Sequence, residues 1–473
     1  MDYFVMVLIV YSFLFIFSIT AFNLKVLSPS IIFTASFTFM LYLAFITREQ
    51  MGFTVSEETF EVFSIGGLLF VFTEVLVNLF YKSRIQPGIS GYSKIERKPI
   101  HMRKSVINFF CVVIVASFVL ALASIVLSTA GSVGYRMQVY KNKMLYEAGD
   151  VKFRFLLNQL YKLNTASCYV CSYIAIYNWS VCKESLKKQS KYLLLSLIFI
   201  IYTVFSQGAR QPAIEIVVFM LLVYFAWKLK AIDKHKIIRV IRKLIIIAPV
   251  AAIVFTKTAE LVGRRHENRT VLKYISTYFC GGLYSFNLHV DEPARNAIWG
   301  QSSFADIYQF LNKFSIVPDE YVATYHSFDL YGNTVTMFGR WYEDFGSIGV
   351  YMMSIITALI FSILFYKYMF PRQRTQNLHL SKMIYCKLVI ALVWAGYDDR
   401  IRALFSMSNL IMLLIIVIIY EMFVVHRVRI KIGGGYWYDQ YGKVLTYCCK
   451  IKSDLNSGMV AVFSHNSKWR VVV

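Results

Sequence analysis

YFVMVLIVYSFLFIFSITAF, residues 3–22, runs for a full membrane thickness without one charged side chain, proline or glycine. A helix needs about 20 apolar residues to cross the hydrocarbon of a bilayer. The run has no basic leading segment and no small-residue cleavage site, so it reads as a retained first span rather than a removed signal. Ten further runs share its character: 27–46, 60–81, 105–129, 156–181, 191–206, 212–228, 240–256, 345–368, 383–397 and 403–425. The fifth is interrupted at its start by Asn158, Lys162 and Asn164, and the sixth is short and exits through Ser206-Gln207-Gly208-Ala209-Arg210-Gln211-Pro212. The chain is 57% hydrophobic and 16% charged, with 39 Phe and 33 Tyr among 473 residues. Its mean hydropathy is +0.54. A soluble core cannot hide that much apolar surface. The turn signals of a β-barrel are missing, and helices satisfy their own backbone groups in lipid. The expectation is an all-α polytopic membrane protein of about eleven spans. One large loop, 257–344, separates spans one to eight (1–256) from spans nine to eleven (345–425), and a tail follows from 426 to 473.

The formal charge of +23 is a matter of placement. Residues 82–104 hold seven basic side chains against Glu96, 183–191 four against Glu184, and 228–243 seven against Asp233. The segment 367–387 holds five with no acid, and the tail from 426 eight against two. With eleven spans these five segments fall on one side, and together they exceed the charge of the whole chain. Lysine and arginine accumulate on cytoplasmic loops, where anionic lipid attracts them. The expected orientation puts the N-terminus and the loop 257–344 on the external, periplasmic side and the C-terminus in the cytoplasm. Nucleic-acid binding is excluded as the reason for the charge, since no basic helix stands clear of the apolar runs. The Cys168/Cys171 pair has CxxC spacing but lies in an apolar run with no His partner. No Walker motif, dinucleotide fingerprint or HExxH occurs, so ATP, dinucleotide and zinc chemistry have no support.

Chemistry is therefore sought on the external side. Arg210 sits between spans six and seven, where basic residues are scarce, in a Gly-Ala-Arg-Gln turn ahead of Pro212. It is either an interfacial arginine that snorkels or a fixed guanidinium over the membrane. Lys257, Arg264, Arg265, His266 and Arg269 follow span eight; on a continued helix Lys257, Arg264 and Arg265 share a face. Such a cluster suits a phosphate or diphosphate, whose oxygens the arginine fork binds in pairs, or else it is a solvated face balanced by Glu260 and Glu267. His326 is a candidate general acid or base, since histidine as a residue type can exchange a proton near neutral pH, or else an ordinary surface residue. The chain re-enters the membrane through Gly332-Asn333-Thr334-Val335-Thr336-Met337-Phe338 and Trp341-Tyr342-Glu343-Asp344-Phe345-Gly346. Arg340, Glu343 and Asp344 are expected just above the ninth span. Asn333 and Thr336 are placed to bond sugar hydroxyls, and Trp341 or Tyr342 to stack on a sugar ring. Asp344 has a second role open to it, complementing the start of a helix. Gly346 and Gly349 read as points of close helix approach. Glu57 and Glu58 are paired acids of the first external loop. Glu74 and Glu215 lie inside spans, where a charge is costly and is either functional or paired within the bundle.

Three of these segments carry a resemblance to a family. The Gly-Ala-Arg-Gln external turn, the stretch Tyr278-Phe279-Cys280-Gly281-Gly282-Leu283-Tyr284-Ser285-Phe286-Asn287, and the Asn333-Thr334-Val335-Thr336 to Gly346 re-entry resemble Wzy-type oligosaccharide repeat unit polymerases. The resemblance extends as architecture over most of the chain. It implies an inner-membrane glycosyltransferase of O-antigen or capsule synthesis that works on the periplasmic face. Donor and acceptor would be undecaprenyl-diphosphate-linked oligosaccharides, with membrane lipid and a chain-length regulator as further partners. Related lipid-linked glycan ligases use external-loop arginines and a histidine, which fall here on Arg210, Arg264 or Arg265, and His326. The arginines would stabilise the diphosphate leaving group, and Asp344, Glu343 or His326 would take the proton of the attacking hydroxyl. No metal or cofactor is called for. Family members often have an even number of spans with both ends inside, whereas the count here is odd. The competing expectations are a lipid-linked glycan flippase or permease, and a ligase that differs only in its acceptor.

Overall fold

The computed structural model describes residues 2–83, 98–129, 151–207, 210–228, 270–291, 298–322, 334–369 and 378–428, with scattered positions between and after them. Helix dominates. Among the described residues the helices begin with α1 (Tyr3–Ala21), α2 (Pro29–Met51), α3 (Glu57–Ser83), α4 (Lys104–Ser128), α5 (Arg154–Ser180), α6 (Leu186–Gln207) and α7 (Gln211–Lys228). They are followed by α8 (Val271–His289), α9 (Ala305–Asn312), α10 (Met337–Met369), α11 (Leu378–Leu388), α12 (Ile390–Val393), α13 (Arg400–Leu404) and α14 (Met407–Ile419). Among the described residues, strand pairing is limited to two antiparallel ladders of the tail, Trp437–Tyr438 with Val444–Leu445 and Val460–Ala461 with Val471–Val472.

Among the described residues, six helices are long and apolar enough to cross a membrane: α1, α2, α3, α4, α10, and α14 with its continuation to Val425. α7 is apolar but shorter. α5 is long yet polar, and its position explains why. α4, α6, α7 and α14 surround it, and every residue from Asn164 to Ala175 is buried. A helix shielded from lipid by its neighbours needs no lipophilic face. Cys168 and Cys171 are buried on it, and among the described residues no group of His, Cys, Asp and Glu could hold a metal ion. The run 240–256 lies almost wholly outside the described residues.

Contacts at helix ends sort the bundle into two levels. At one, Asp2 pairs with Arg48 at 3.0 Å and Tyr3 donates its hydroxyl to Glu57 at 2.8 Å. At the other, Asn178 holds both the N–H and the C=O of Ile100, at 2.8 and 2.7 Å, and Lys382 Nζ reaches the Ala226 carbonyl at 3.1 Å. Near this second level Glu74 takes the Ser28 hydroxyl (2.7 Å) and the Ser30 amide (2.5 Å). The buried acid thereby serves the N-terminus of α2, whose unpaired N–H groups favour an anion.

Two expectations about the re-entry change. Gly346 does not bring helices together: it holds φ +65°, ψ −162° at a kink inside α10, and a Cβ there would meet nothing within 4 Å. Glycine is required because that backbone geometry is closed to other residues. Close approach falls instead to Gly66 on α3, where a Cβ would lie 3.0 Å from the Phe338 ring and 3.2 Å from Val350. The start of α10 is also deeper than expected. Phe338 lies among Phe33, Phe37 and Phe63, with ring centroids 6.0, 5.0 and 5.2 Å away.

The expected span 383–397 is broken. α11 ends at Leu388, α12 is four residues long, and the chain then unwinds to Asp399. The unwound piece pairs with the extended residues before α10: Met337 N–H donates to Ala395 C=O (3.2 Å) and Asp399 N–H to Val335 C=O (2.9 Å). Irregular backbone at such depth is tolerated only where protein satisfies it. α8 covers this joint. It runs along α2, with Ser276 on Thr47 (2.6 Å) and Cys280 on the Met40 carbonyl (3.4 Å). This part of the polar segment 257–344, Cys280 included, is thus folded into the bundle.

Candidate functional site

Arg210 closes the turn between α6 and α7, and its carbonyl accepts the Ile214 amide at 3.2 Å, so the helix that follows fixes its backbone. Its side chain is buried at 6% exposure. One guanidinium nitrogen donates to the Tyr274 hydroxyl at 2.6 Å, and the group sits 5.7 and 5.4 Å from the ring centres of Tyr274 and Tyr278. A snorkelling arginine would extend into water. This one is clamped by two aromatic residues of α8, a geometry in which a desolvated cation–ring contact contributes about 2 kcal/mol. Tyr278 in turn stacks on Tyr397, with 5.0 Å between centroids and 19° between planes, so the clamp is fastened to the unwound segment after α12.

Immediately beside Arg210, the Gln211 side-chain oxygen accepts a bond from Arg400 Nη2. Arg400 also pairs with Asp398 at 2.8 Å. One turn along α7, Glu215 contacts Gln211 Nε2 at 3.3 Å, the Tyr169 hydroxyl at 3.5 Å and Lys387 Nζ at 3.6 Å. Lys387 lies 4.9 Å from the Tyr169 ring centre and is 8% exposed. Lys162, Tyr169, Gln211, Glu215, Lys387 and Arg400 are among the residues that line a cavity of about 290 Å³. Arg210 is not itself in the wall. The lining carries three cations against one carboxylate, and with Asp398 counted the site still has one positive charge in excess. Such a place suits an anion with several oxygens.

The acidic residues of the re-entry form a separate, structural group. Both oxygens of the buried Asp344 accept backbone amides, from Ser302 at 3.0 Å and Ser303 at 2.6 Å. Glu343 takes the Ser302 hydroxyl at 2.6 Å and pairs with Arg340 at 3.4 Å; Arg340 also donates to the Ser302 oxygen at 3.0 Å. These three charges fasten the turn ahead of α9 onto α10. Thr336 is fully buried, and its hydroxyl accepts the Gly339 amide at 3.2 Å. Trp341 is 1% exposed in the core, so its ring is not presented to a sugar; Tyr342 is half-buried and donates its hydroxyl to the Val290 carbonyl. Asp399 caps α13, accepting from the amides of Ile401 (3.0 Å) and Arg402 (3.3 Å). Burial pushes its carboxyl up to about 6, with Arg402 and Arg340 pulling the other way. Arg264, Arg265, His266, Arg269, His326 and Asn333 lie outside the described residues.

Of the residues singled out in the sequence, the structure brings Arg210, Tyr278 and Glu215 to one mouth. Lys162, marked in the sequence only as an interruption of the fifth run, joins them there with Lys387 and Arg400. Lys387 was counted with the cytoplasmic segment 367–387; instead it points into the bundle onto Glu215. A signal was present, because an acid inside a span calls for a partner inside another span. No family model, curated protein or solved structure matches the chain.

Proposed function

We propose that the chain is an inner-membrane glycosyltransferase that joins undecaprenyl-diphosphate-linked oligosaccharide repeat units into O-antigen or capsular polysaccharide on the periplasmic face. In this reading eleven spans carry the chain, with the N-terminus and the Arg210 mouth outside and the basic segments in the cytoplasm. The observation that carries it is the clamped Arg210 beside a cation-rich cavity. The donor sugar is released from a lipid diphosphate. The acceptor hydroxyl oxygen bonds to the anomeric carbon while the bond from that carbon to the diphosphate breaks, and the electron pair leaves with the diphosphate. Negative charge grows on the leaving group, and fixed cations in a site partly closed to water stabilise it most. Arg210 and Arg400 supply forks for its oxygens. Arg264, Arg265 and His326, which lie outside the described residues, remain part of the proposal as further groups for the diphosphate and for the hydroxyl proton.

The test is a deletion strain complemented with wild type or with Arg210→Ala, read by the banding of surface polysaccharide on a gel. A polymerase deletion leaves single repeat units on the lipid anchor, and Arg210→Ala at wild-type protein level reproduces that pattern. Long chains of normal length in Arg210→Ala would defeat the assignment. One observation favours a second reading. The unwound pieces before α10 and after α12, paired deep in the bundle, match the broken helices on which transporters build their sites. A flippase deletion traps the lipid-linked unit on the cytoplasmic face, and a ligase deletion leaves no unit on the anchor.

A further inference from the structure

The Glu215–Lys387 pair joins a buried lysine to a half-buried carboxylate and is loosely made. Its separation is 3.6 Å, and among the described residues neither Glu215 oxygen has a polar partner closer than 3.3 Å. Well-formed charge-assisted bonds close to about 2.7–2.9 Å. A half-buried carboxylate held this loosely gains little from its partner. The same lysine faces a cavity whose other cations are Lys162 and Arg400. At about 290 Å³ the cavity has room for two phosphoryl groups, and its surplus of positive charge asks for the anion that the described residues do not supply.

We infer that Glu215 and Lys387 form an exchangeable pair: a phosphate-class oxyanion in the cavity takes Lys387 and Arg400, and the released Glu215 accepts the proton of the attacking hydroxyl. This rests on the glycosyl-transfer reading for the proton step but not for the anion site. The hydroxyl O–H bond breaks, its proton goes to a Glu215 oxygen, its oxygen bonds to the anomeric carbon, and the carbon–oxygen bond to the diphosphate breaks toward the anion on Lys387. The proton acceptor thereby becomes available only when the leaving group is seated. Asp344 and Glu343, two of the three acceptors expected from sequence, are held by amides, a hydroxyl and Arg340; the third, His326, lies outside the described residues.

Purified full-length protein in detergent, titrated with inorganic pyrophosphate and with farnesyl diphosphate, tests the exchange by calorimetry. Glu215→Gln removes the competing carboxylate and is expected to bind pyrophosphate more tightly than wild type. Lys387→Met is expected to bind at least about tenfold more weakly. Lys387→Met alone strands the half-buried Glu215 carboxylate and can fail to fold. The double variant Glu215→Gln/Lys387→Met removes both charges, and its pyrophosphate affinity is expected below that of Glu215→Gln. Pyrophosphate binding that is unchanged or weaker in Glu215→Gln overturns the exchange. Farnesyl diphosphate no tighter than pyrophosphate assigns the cavity to a free anion and overturns the lipid-borne source. In the complemented strain Glu215→Gln is expected to leave single repeat units despite its tighter anion binding; long chains there overturn its role as proton acceptor. The deletion strain tests polymerisation independently, so failure of that reading and failure of the exchange give different results.

Discussion

Replacing Asp344 with asparagine separates a carboxylate that fastens a turn from one that moves a proton. The side chain is buried and accepts two backbone amides, Ser302 at 3.0 Å and Ser303 at 2.6 Å. A hydrogen bond to a charged group contributes about 1.5–3 kcal/mol, and a buried donor left unpaired costs about 1–3 kcal/mol. Asparagine keeps one acceptor oxygen but sets an N–H₂ against the second amide. The expected loss is therefore about 2–4 kcal/mol for Asp344→Asn, and more for Asp344→Ala, which removes both acceptors. The assay is thermal unfolding of detergent-purified protein at a fixed scan rate, with polysaccharide banding of the complemented strain at low and normal growth temperature. The fastening role predicts a midpoint several degrees lower for asparagine, lower still for alanine, and long chains recovered in the cold. Unfolding at the wild-type temperature together with complete loss of long chains at every temperature would refute the reasoning, because it would put Asp344 on the proton rather than on the turn.

Gly282→Ala sets a Cβ 2.8 Å from the Thr336 amide nitrogen and 3.1 Å from the Tyr397 carbonyl oxygen. Neither is the end of a flexible side chain, so a loss of about 1–3 kcal/mol in stability is expected, visible in the same unfolding assay as a drop that Ser285→Ala does not match. Arg210→Lys keeps the charge but loses the planar fork against Tyr274 and Tyr278; chain length is expected to fall sharply while protein level holds, and wild-type banding would show that charge alone suffices. Asp399 gives a pH signature. Its folded carboxyl is raised to about 6 from about 3.9 when unfolded, so the folded state holds the proton more firmly. The stabilisation is fully present below about pH 4 and is lost as pH rises to about 6, by at most roughly 3 kcal/mol. Thermal midpoints of wild type and Asp399→Asn should diverge across that window and run parallel above it; curves parallel throughout would remove Asp399 as the titrating group.

How much of this was legible beforehand varies with the range of the interaction concerned. The apolar runs of α1 to α4 are local sums over twenty residues, and they emerge as helices at nearly the expected bounds. Arg210 was legible for the same reason, since a cation in a Gly-Ala-Arg-Gln turn at a span end is a local anomaly. α5 was harder: its polarity reads as a weak span, and only four surrounding helices reveal that it is central. The run 383–397 is apolar enough to read as continuous. Hydropathy does not register that its last residues leave the helix to pair with Val335 and Met337 about 60 residues upstream.

The amino-acid sequence by itself determined the class of the protein: helical, with apolar runs long enough for a membrane, and with an uneven distribution of basic charge between its loops; among the described residues six helices are of that kind. These follow from composition within short windows, because transfer into lipid is decided segment by segment. Tertiary structure alone decided which charges meet. Glu215 and Lys387 are 172 positions apart and Arg210 and Tyr274 are 64 apart, and neither pair has a local pattern to announce it. A buried charge must find its partner wherever the packed helices bring one. The cation-rich cavity beside Arg210 is a product of that packing, invisible until α5, α7 and the broken segment after α11 come together.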